Sequence, residues 1–412
     1  MIDILSEVQK VEQEIIELRR KIHMYPELGF EENRTSELVI KNLSDLGIEV
    51  KRAAKTGVIG FLKGNGQKTI ALRADMDALP IQEENDLPYA SLIPGRMHAC
   101  GHDVHTAILL GTAKILSKNK DFLKGNVKFI FQPAEETTGG ALPMIEEGVL
   151  KEPKVDAIIG LHVDPDLEVG QIGITYGKAY ASSDMFDIIV KGKSGHGAQP
   201  HKTVDPIVIS AQIINSLQTI ASRYMDPILP IVISIGSIEG GYARNVIPSK
   251  VKLSGIIRLL EEDKRDEIAL KIEKIAVNIA ESFGGEIEFK RIKGYPCLIN
   301  ERGITDFVKT SLSKAPAIKS VIEVPPTMGV EDFAYYLKYV PGCFYKLGCG
   351  NSKMGINKPI HNNMFNVDEN CIQIGMISQV LLAFKFLNDT SVNKPIGYER
   401  QLKNIFNYSD SL

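Results

Sequence analysis

The stretch Thr69-Ile70-Ala71-Leu72-Arg73-Ala74-Asp75-Met76-Asp77 runs from an apolar, strand-like segment directly into two aspartates. Three further apolar segments end beside polar groups in the same way: 127–131 before Gln132-Pro133-Ala134-Glu135-Glu136, 155–161 before His162, and 343–347 before a glycine-rich loop. Helical stretches separate these segments, a pattern typical of βαβ units and a mostly parallel sheet. Parallel strands end at one edge of a sheet, so we expect the polar groups to converge there.

The middle of the chain has a different pattern. Its order is strand, helix, strand, strand, helix and a further strand, at residues 185–190, 207–221, 231–235, 251–257, 268–283 and 286–292. This order fits a small ferredoxin-like α+β sandwich. We therefore predict an α/β catalytic domain made of residues 1–182 and 294–412, with an α+β domain of residues 183–293 inserted into it.

Length and composition exclude several classes of protein. The chain has 412 residues, enough for two domains, and its 44% hydrophobic and 24% charged residues are average for a soluble globular protein. We see no apolar run long enough to span a bilayer, and the net charge of −3 provides no basic surface for nucleic acid. The charged N-terminus lacks the features of a secretory signal, which predicts a cytoplasmic protein. Five scattered cysteines do not resemble a disulfide framework.

The segment Met97-His98-Ala99-Cys100-Gly101-His102-Asp103-Val104-His105 holds three of the eight histidines and one of the five cysteines. Imidazole, thiolate and carboxylate are ligands of borderline transition metals, so this density predicts a metal site. The alternative is a run of polar residues that caps the following apolar helix. Candidate ligands from four regions are enough for two ions that share Cys100 as a bridge; they are Cys100, His102, Glu136, His162 and His361.

Two adjacent carboxylates, Glu135 and Glu136, follow the second apolar segment. In a non-helical turn they can point in different directions, one to metal and one to water. A carboxylate beside an activated water can accept its proton and deliver it to a leaving amine. An exposed acidic turn is the alternative, but the position after a buried-looking strand favours the functional interpretation.

Seven motifs, in order along nearly the whole chain, resemble the M20 metallopeptidase family and its amidohydrolase branch, which includes hippurate hydrolases, aminoacylase-like enzymes and auxin-conjugate hydrolases. They are residues 19–28, 73–80, 97–105, 132–136, 195–198, 240–248 and 331–333. The resemblance implies a dinuclear site with the five ligands named above and Glu135 as general acid and base. Many relatives have a ligand histidine in a His-x-Asp motif where this chain has Asp75-Met76-Asp77. Asp75 and Asp77 are then expected to orient ligands or the base, or one of them to be a structural turn residue.

The resemblance also implies roles for two residues of the insert. His196, flanked by Gly195 and Gly197, is expected to reach an active site, commonly that of a partner subunit, and to hold the oxyanion or the substrate carboxylate. Asn245 is a second expected contact of this lid. For both, ordinary loop structure is the alternative. We assign supporting roles to His98 and His105, packing to His23, and a helix-entry position to His201.

The function predicted from the sequence is hydrolysis of the amide bond of N-acyl amino acids, such as hippurate or N-acetyl amino acids, by a metal-bound water with Glu135 as general acid and base. A carboxypeptidase or dipeptidase on the same scaffold is one alternative, and a non-catalytic metal-dependent binding protein is another.

The expected cofactors are two divalent ions of Mn, Zn, Co or Ni per subunit. The expected partners are a small N-acyl amino acid or short peptide and a second copy of the chain. Neither nucleic acid nor a membrane is expected as a binding partner.

Overall fold

A computed structural model describes residues 2–388 of the chain. The helices are α1 (Ile4–Gln9), α2 (Glu12–His23), α3 (Asn33–Asp45), α4 (His102–Lys118), α5 (Ala141–Glu146), α6 (Pro206–Thr219), α7 (Arg265–Ser282), α8 (Arg302–Leu312), α9 (Ala334–Leu337) and α10 (Asn370–Asn388). The strands are β1 (Glu49–Ala53), β2 (Gly57–Leu62), β3 (Thr69–Asp75), β4 (Asn126–Gln132), β5 (Ala157–Glu168), β6 (Gln171–Ile174), β7 (Gly177–Tyr180), β8 (Ser182–Lys191), β9 (Gly195–His196), β10 (Ile231–Gly240), β11 (Val246–Ile247), β12 (Lys250–Leu259), β13 (Glu286–Lys293), β14 (Leu298–Asn300), β15 (Ser320–Glu323) and β16 (Gly342–Gly350).

These elements form two compact units. Among the described residues, the first unit contains 2–177, 299–325 and 335–388, and the second contains 178–298 and 326–334. The segment 183–293 that the sequence marks as an insert lies in the second unit, which also takes in residues on both sides of it.

The first unit is built on a sheet with the strand order β1-β2-β4-β3-β5-β16-β6-β15. Its four central strands, β4, β3, β5 and β16, are mutually parallel. They are the four segments that the sequence predicts to be strands ending at polar groups. Antiparallel pairs occur at β1-β2, β2-β4 and β6-β16. The prediction of an α/β fold with a mostly parallel sheet is confirmed.

Burial explains why the central strands are so apolar. Every residue of β3 and β4 is buried, as expected for parallel strands covered on both faces. Helix α4 is buried over most of its length, and its side chains join those of the sheet and of α10 in one core. This helix carries the candidate metal ligand His102 in its first turn.

One predicted strand end is wrong. The sequence suggests that the third strand stops before His162, but β5 runs from Ala157 to Glu168 and contains that residue. Pairing with β16 continues through the pair His162 and Lys346 to Asp164 and, after a shift in register, to Glu168. On the other side of β5, Gly160 pairs with Arg73, so His162 is level with Asp75. Strand β5 therefore extends beyond the edge of the sheet at which β3 and β4 end. His162 lies within β5 at the level of that edge.

Contrary to the expectation from the sequence, one described helix, α10, is long and apolar enough to cross a membrane by length and composition, but 72% of its most apolar stretch is buried inside the protein. It contributes many side chains to the core of the first unit. The five cysteines are all free and buried, in agreement with the scattered spacing that argues against a disulfide framework.

The second unit contains an antiparallel four-stranded sheet with the order β10-β12-β8-β13. Helices α6 and α7 pack on one face of this sheet and form a separate core with it. Read along the chain, the elements are β8, α6, β10, β12, α7 and β13. This is the ferredoxin-like βαββαβ arrangement that the sequence predicts.

Candidate metal centre

The loop before α4 places Cys100 and His102 at the edge of the first unit's sheet. Gly101, between them, has φ +84°, a left-handed conformation that side chains disfavour. A Cβ atom at this position would also lie 2.4 Å from Val163 Cγ2. Glycine at residue 101 therefore lets the chain turn into the helix while both flanking side chains face the strand ends.

Two groups of candidate ligands share Cys100. The first is Cys100, His102 and His162, and the second is Cys100, Glu136 and His361; within each group the ligand atoms lie within 4.8 Å of one another. Cys100 Sγ is 3.3 Å from His162 Nε2, and Glu136 Oε1 is 3.1 Å from His361 Nε2. All five residues that the sequence nominates as ligands thus come together in the first unit.

The other hydrogen bonds of His162 and His102 involve Nδ1 and leave Nε2 of each ring as the candidate metal-binding atom. His162 Nδ1 donates to the carbonyl of Val163 at 2.7 Å, which leaves Nε2 facing Cys100. His102 Nδ1 contacts Asp77, while His102 Nε2 is buried without a hydrogen-bond partner in residues 2–388. Buried polar atoms without partners are uncommon in folded proteins. Together with the sulfur, nitrogen and oxygen donors around it, this buried atom fits a site for divalent transition-metal cations.

Burial controls the protonation of these ligands before metal enters. It raises the pKa of the Cys100 thiol well above its usual value, and the Glu136 carboxylate adds to this effect. It lowers the pKa of His162 to about 3. For His102, burial opposes the charge, but Asp75 and Asp77 raise the pKa to about 10. Metal binds the thiolate form of cysteine and the neutral form of imidazole. A bound cation therefore displaces the thiol proton of Cys100 and one ring proton of His102.

Asp77 connects the two halves of the centre. Its Oδ1 lies 3.3 Å from His102 Nδ1 and accepts the backbone N–H of Glu135 at 3.0 Å. Its Oδ2 accepts the N–H of Glu136 at 2.9 Å. One buried carboxylate therefore contacts a candidate ligand on α4 and the two acidic residues that follow β4.

Asp75 contacts a different set of groups. Its Oδ1 lies 2.6 Å from His105 Nδ1, and its Oδ2 lies 2.5 Å from Arg73 Nη1. His105 Nε2 in turn accepts the backbone N–H of Val163 at 2.9 Å. His105 is thus neutral, with its proton on Nδ1, and links Asp75 to the strand that carries His162.

Glu135 lies in a turn of residues 133–139, here called the Glu135 turn, which follows β4. Its side chain is buried, and it offers a ligand atom within 4.8 Å of those of His102 and Glu136. Ala134 before it has φ +56°, which is rare for a residue with a Cβ atom. This turn directs the two neighbouring carboxylates to the edge where the candidate ligands meet.

His196 and Asn245 are neighbours in the second unit. Strands β9 and β11 pair His196 with Val246, and Gly197 donates its backbone N–H to the carbonyl of Asn245 at 2.8 Å. The His196 side chain is exposed, and its Nδ1 accepts the N–H of Ala198. The two residues therefore belong to one exposed loop pair.

The remaining histidines take supporting positions. His98 is buried with neither ring nitrogen hydrogen-bonded within the described part of the chain, and burial lowers its pKa to about 3. His201 lies in a short turn before α6. His23 is more than the packing residue that the sequence suggests, because its Nδ1 lies 2.8 Å from Asp103 and its Nε2 lies 3.2 Å from Glu83.

Sequence reasoning overlooks several buried charged residues around the centre. Arg19 Nε donates to Asp103 at 2.7 Å, next to His23, and Arg73 Nε donates to Gln132 at 2.9 Å. Glu32 accepts the N–H of Ala134 at 2.8 Å. Each contact joins residues more than 50 positions apart, so no local spacing in the sequence signals it.

The chain is similar in sequence to known peptidases and amidohydrolases. The model of peptidase family M20/M25/M40 matches residues 71–383. The chain is 43% identical to thermostable carboxypeptidase 1 of Saccharolobus solfataricus, over 93% of this chain and 98% of that protein. It is 46% identical to an N-acyl-L-amino acid amidohydrolase of Geobacillus stearothermophilus, over 71% of this chain and 80% of that protein.

A solved structure is also similar to the chain. It is that of a Bacillus subtilis protein described as a dinuclear metal-binding peptidase. The TM-score is 0.81 at 35% identity, and the match covers 92% of this chain and 99% of the other.

Proposed function

Because this chain belongs to peptidase family M20/M25/M40 and is a metal-dependent hydrolase, we propose that it cleaves the amide bond of N-acyl amino acids, with Glu135 as general acid and base. The observation that carries the proposal is the position of Cys100 in both groups of candidate ligands, with Glu135 beside them. A hydrolase of this kind needs ligands, a proton acceptor and room for an activated water at one place.

Two divalent cations bound by Cys100, His102, Glu136, His162 and His361 would polarise the amide carbonyl and lower the pKa of a water to about 7. Glu135 then accepts a proton from the attacking water and passes it to the leaving nitrogen. This releases a carboxylic acid and a free amino acid. The donor set suits Mn, Zn, Co and Ni, whose ligand preferences overlap.

Asp77 and Asp75 act as positioning residues in this proposal. Asp77 holds the His102 ring through Nδ1 and the Glu135 turn through two backbone amides. Asp75 acts through His105 on the backbone beside His162. Carboxylates that hold metal-binding imidazoles fix the tautomer and the ring orientation.

We further propose that the second unit mediates a homodimer and that His196 acts on the substrate bound to the partner subunit. Strand β10 forms an outer edge of its sheet, and an open edge can pair with another chain. Ile238 on this strand and Tyr242 just beyond it are 58% and 75% exposed. His196 and Asn245 then supply donors to the oxyanion or the substrate carboxylate.

Mixing two inactive variants tests this arrangement. We expect His196→Ala and Glu135→Gln to be nearly inactive alone, because each loses a group that contributes at least about 100-fold to the rate. Mixed dimers regain activity, since the subunit with an intact Glu135 receives His196 from its partner. The two variants are mixed in mild denaturant so that their subunits exchange. The rate of hydrolysis is measured after the denaturant is removed. A mixture no more active than its components, or an active monomer in light scattering, would contradict action across subunits.

The carboxypeptidase relative supports a second candidate function. An acyl group and an N-terminal residue present the same scissile amide to Glu135, so a peptidase needs no different catalytic groups. The alternatives differ only in what lies on the acyl side of the bond.

A substrate panel on the metal-loaded enzyme separates them. It contains hippurate, N-acetyl amino acids, dipeptides and N-blocked peptides with a free carboxylate. We expect kcat/KM to be at least about tenfold higher for the N-acyl amino acids, a ratio within the range that pocket contacts supply. A preference for dipeptides or blocked peptides would favour the carboxypeptidase, and no hydrolysis of any amide would overturn both.

A further inference from the structure

The Glu135 turn has a backbone that needs support from elsewhere in the protein. Ala134 adopts the left-handed region at φ +56°, where its Cβ atom crowds the following carbonyl. Such a conformation persists only when its surroundings hold it in place. Any relaxation at residue 134 would rotate the next peptide, which carries Glu135.

Three successive backbone amides of this turn are held by two buried carboxylates. Glu32 Oε1 accepts the N–H of Ala134 at 2.8 Å. Asp77 accepts the N–H groups of Glu135 and Glu136 at 3.0 and 2.9 Å. Asp77 supports the base and the ligand directly, whereas Glu32 supports the left-handed residue before them.

Glu32 is itself firmly placed. It is fully buried, and its second oxygen accepts the Thr56 hydroxyl at 2.5 Å. Its carbonyl accepts the N–H of Ser36 in the first turn of α3. A Cβ atom at Gly29 would lie 2.4 Å from Thr137 Oγ1 and 3.0 Å from Ala134. The segment that carries Glu32 therefore packs directly against the Glu135 turn.

We propose that Glu32 is a positioning residue for the general base, because it holds the Ala134 amide and so sets the direction of the Glu135 carboxylate. This inference rests on the proposed role of Glu135. Burial raises the pKa of Glu32 to about 7, although the Thr56 hydrogen bond opposes the shift. The neutral isostere glutamine is therefore a fair substitute near neutral pH, and its carbonyl can still accept the Ala134 amide.

The test compares Glu32→Gln with Glu32→Met, which fills a similar volume but offers no acceptor oxygen. In the metal-loaded enzyme with its best N-acyl amino acid, we expect Glu32→Met to lower kcat by about 100-fold with KM little changed, the cost of a small misplacement of a catalytic group. Glu32→Gln should retain most of the wild-type kcat. Each kcat is calculated per mole of folded protein that holds two metal ions.

A second measurement does not depend on activity. In metal-free protein, hydrogen exchange at residue 134 should be faster in Glu32→Met than in wild type and near normal in Glu32→Gln. Glu27→Gln is the matched control, since Glu27 lies in the same segment but accepts the backbone amides of Arg34 and Thr35. It should leave both kcat and exchange at residue 134 unchanged.

Wild-type kcat in Glu32→Met, or an equal loss in the methionine and glutamine variants, would overturn the inference. If Glu32→Met does not fold, Thr56→Val replaces it, and we expect about a tenfold lower kcat, the value of one hydrogen bond; an unchanged kcat would contradict the inference. Failure of the proposed function has a different signature. In that case the Glu135→Gln variant stays active, regardless of the results for the Glu32 variants.

Discussion

We expect the Glu135→Gln variant to lose about 100- to 10,000-fold in kcat while it keeps its fold and both metal ions, as is usual when a general acid and base is removed. Glutamine has the size of glutamate but cannot take a proton from water and return it to the leaving nitrogen. The backbone amide of residue 135 keeps its bond to Asp77, and the five candidate ligands are untouched. Steady-state rates and metal content are measured on one preparation.

Glu146→Gln is the matched control for this experiment. Glu146 is an exposed glutamate of helix α5 in the same unit, so its substitution should change neither rate nor metal content. Full activity in Glu135→Gln would refute the mechanism. Loss of a metal ion together with activity would also count against it, because Glu135 would then be a ligand instead of a proton carrier.

Removal of the metals by a chelator should abolish measurable hydrolysis, and Mn, Zn, Co or Ni should restore it. Without cations, the water and the amide carbonyl lose their activation. His102 Nε2 also stays buried without a hydrogen-bond partner in the part of the chain described, so the protein should be less stable. A ligand at 1,000 times its Kd stabilises a protein by about 4 kcal/mol, which a thermal melt detects.

Two cysteine variants make this test specific to the shared sulfur. Cys100→Ser should bind divalent cations much more weakly, because a neutral serine hydroxyl is a poorer ligand of transition metals than a thiolate. Cys297→Ser is the control, since Cys297 is a buried free cysteine of the second unit whose sulfur donates to the Leu259 carbonyl. Activity that survives complete removal of metal, or two tightly bound ions in Cys100→Ser, would contradict the proposed centre.

The sequence predicts the central sheet well for a physical reason. Parallel strands buried on both faces need nearly continuous apolar runs, and these stand out at β3, β4, β5 and β16. The insert is equally visible, since its strands and amphipathic helices alternate in a simple order. The end of β5 is less predictable, because pairing with β16 extends the strand beyond its apolar run and through His162.

Cys100 and His102 could be nominated from sequence because metal-binding residue types are concentrated at residues 97–105, and Glu136 and His162 because they follow apolar segments. Asp75 and Asp77 could be named as supports only through the family resemblance, and Glu32 could not be named at all. The contact of Glu32 with Ala134 spans 102 residues, and that of Asp77 with Glu136 spans 59. In a single sequence Glu32 is indistinguishable from an ordinary turn residue, and nothing there shows which groups Asp77 contacts.

The amino-acid sequence by itself thus determined the α/β class of the sheet and the α+β order of the middle segment, and it nominated the candidate metal ligands, because apolar periodicity and ligand chemistry are local properties. Only the tertiary structure decided which candidate ligands lie together on each side of Cys100, that Asp77 joins His102 to the Glu135 turn, and that Glu32 holds the amide before it. These are contacts between distant segments, and packing of the sheet edge against α4 and the segment before α3 creates them.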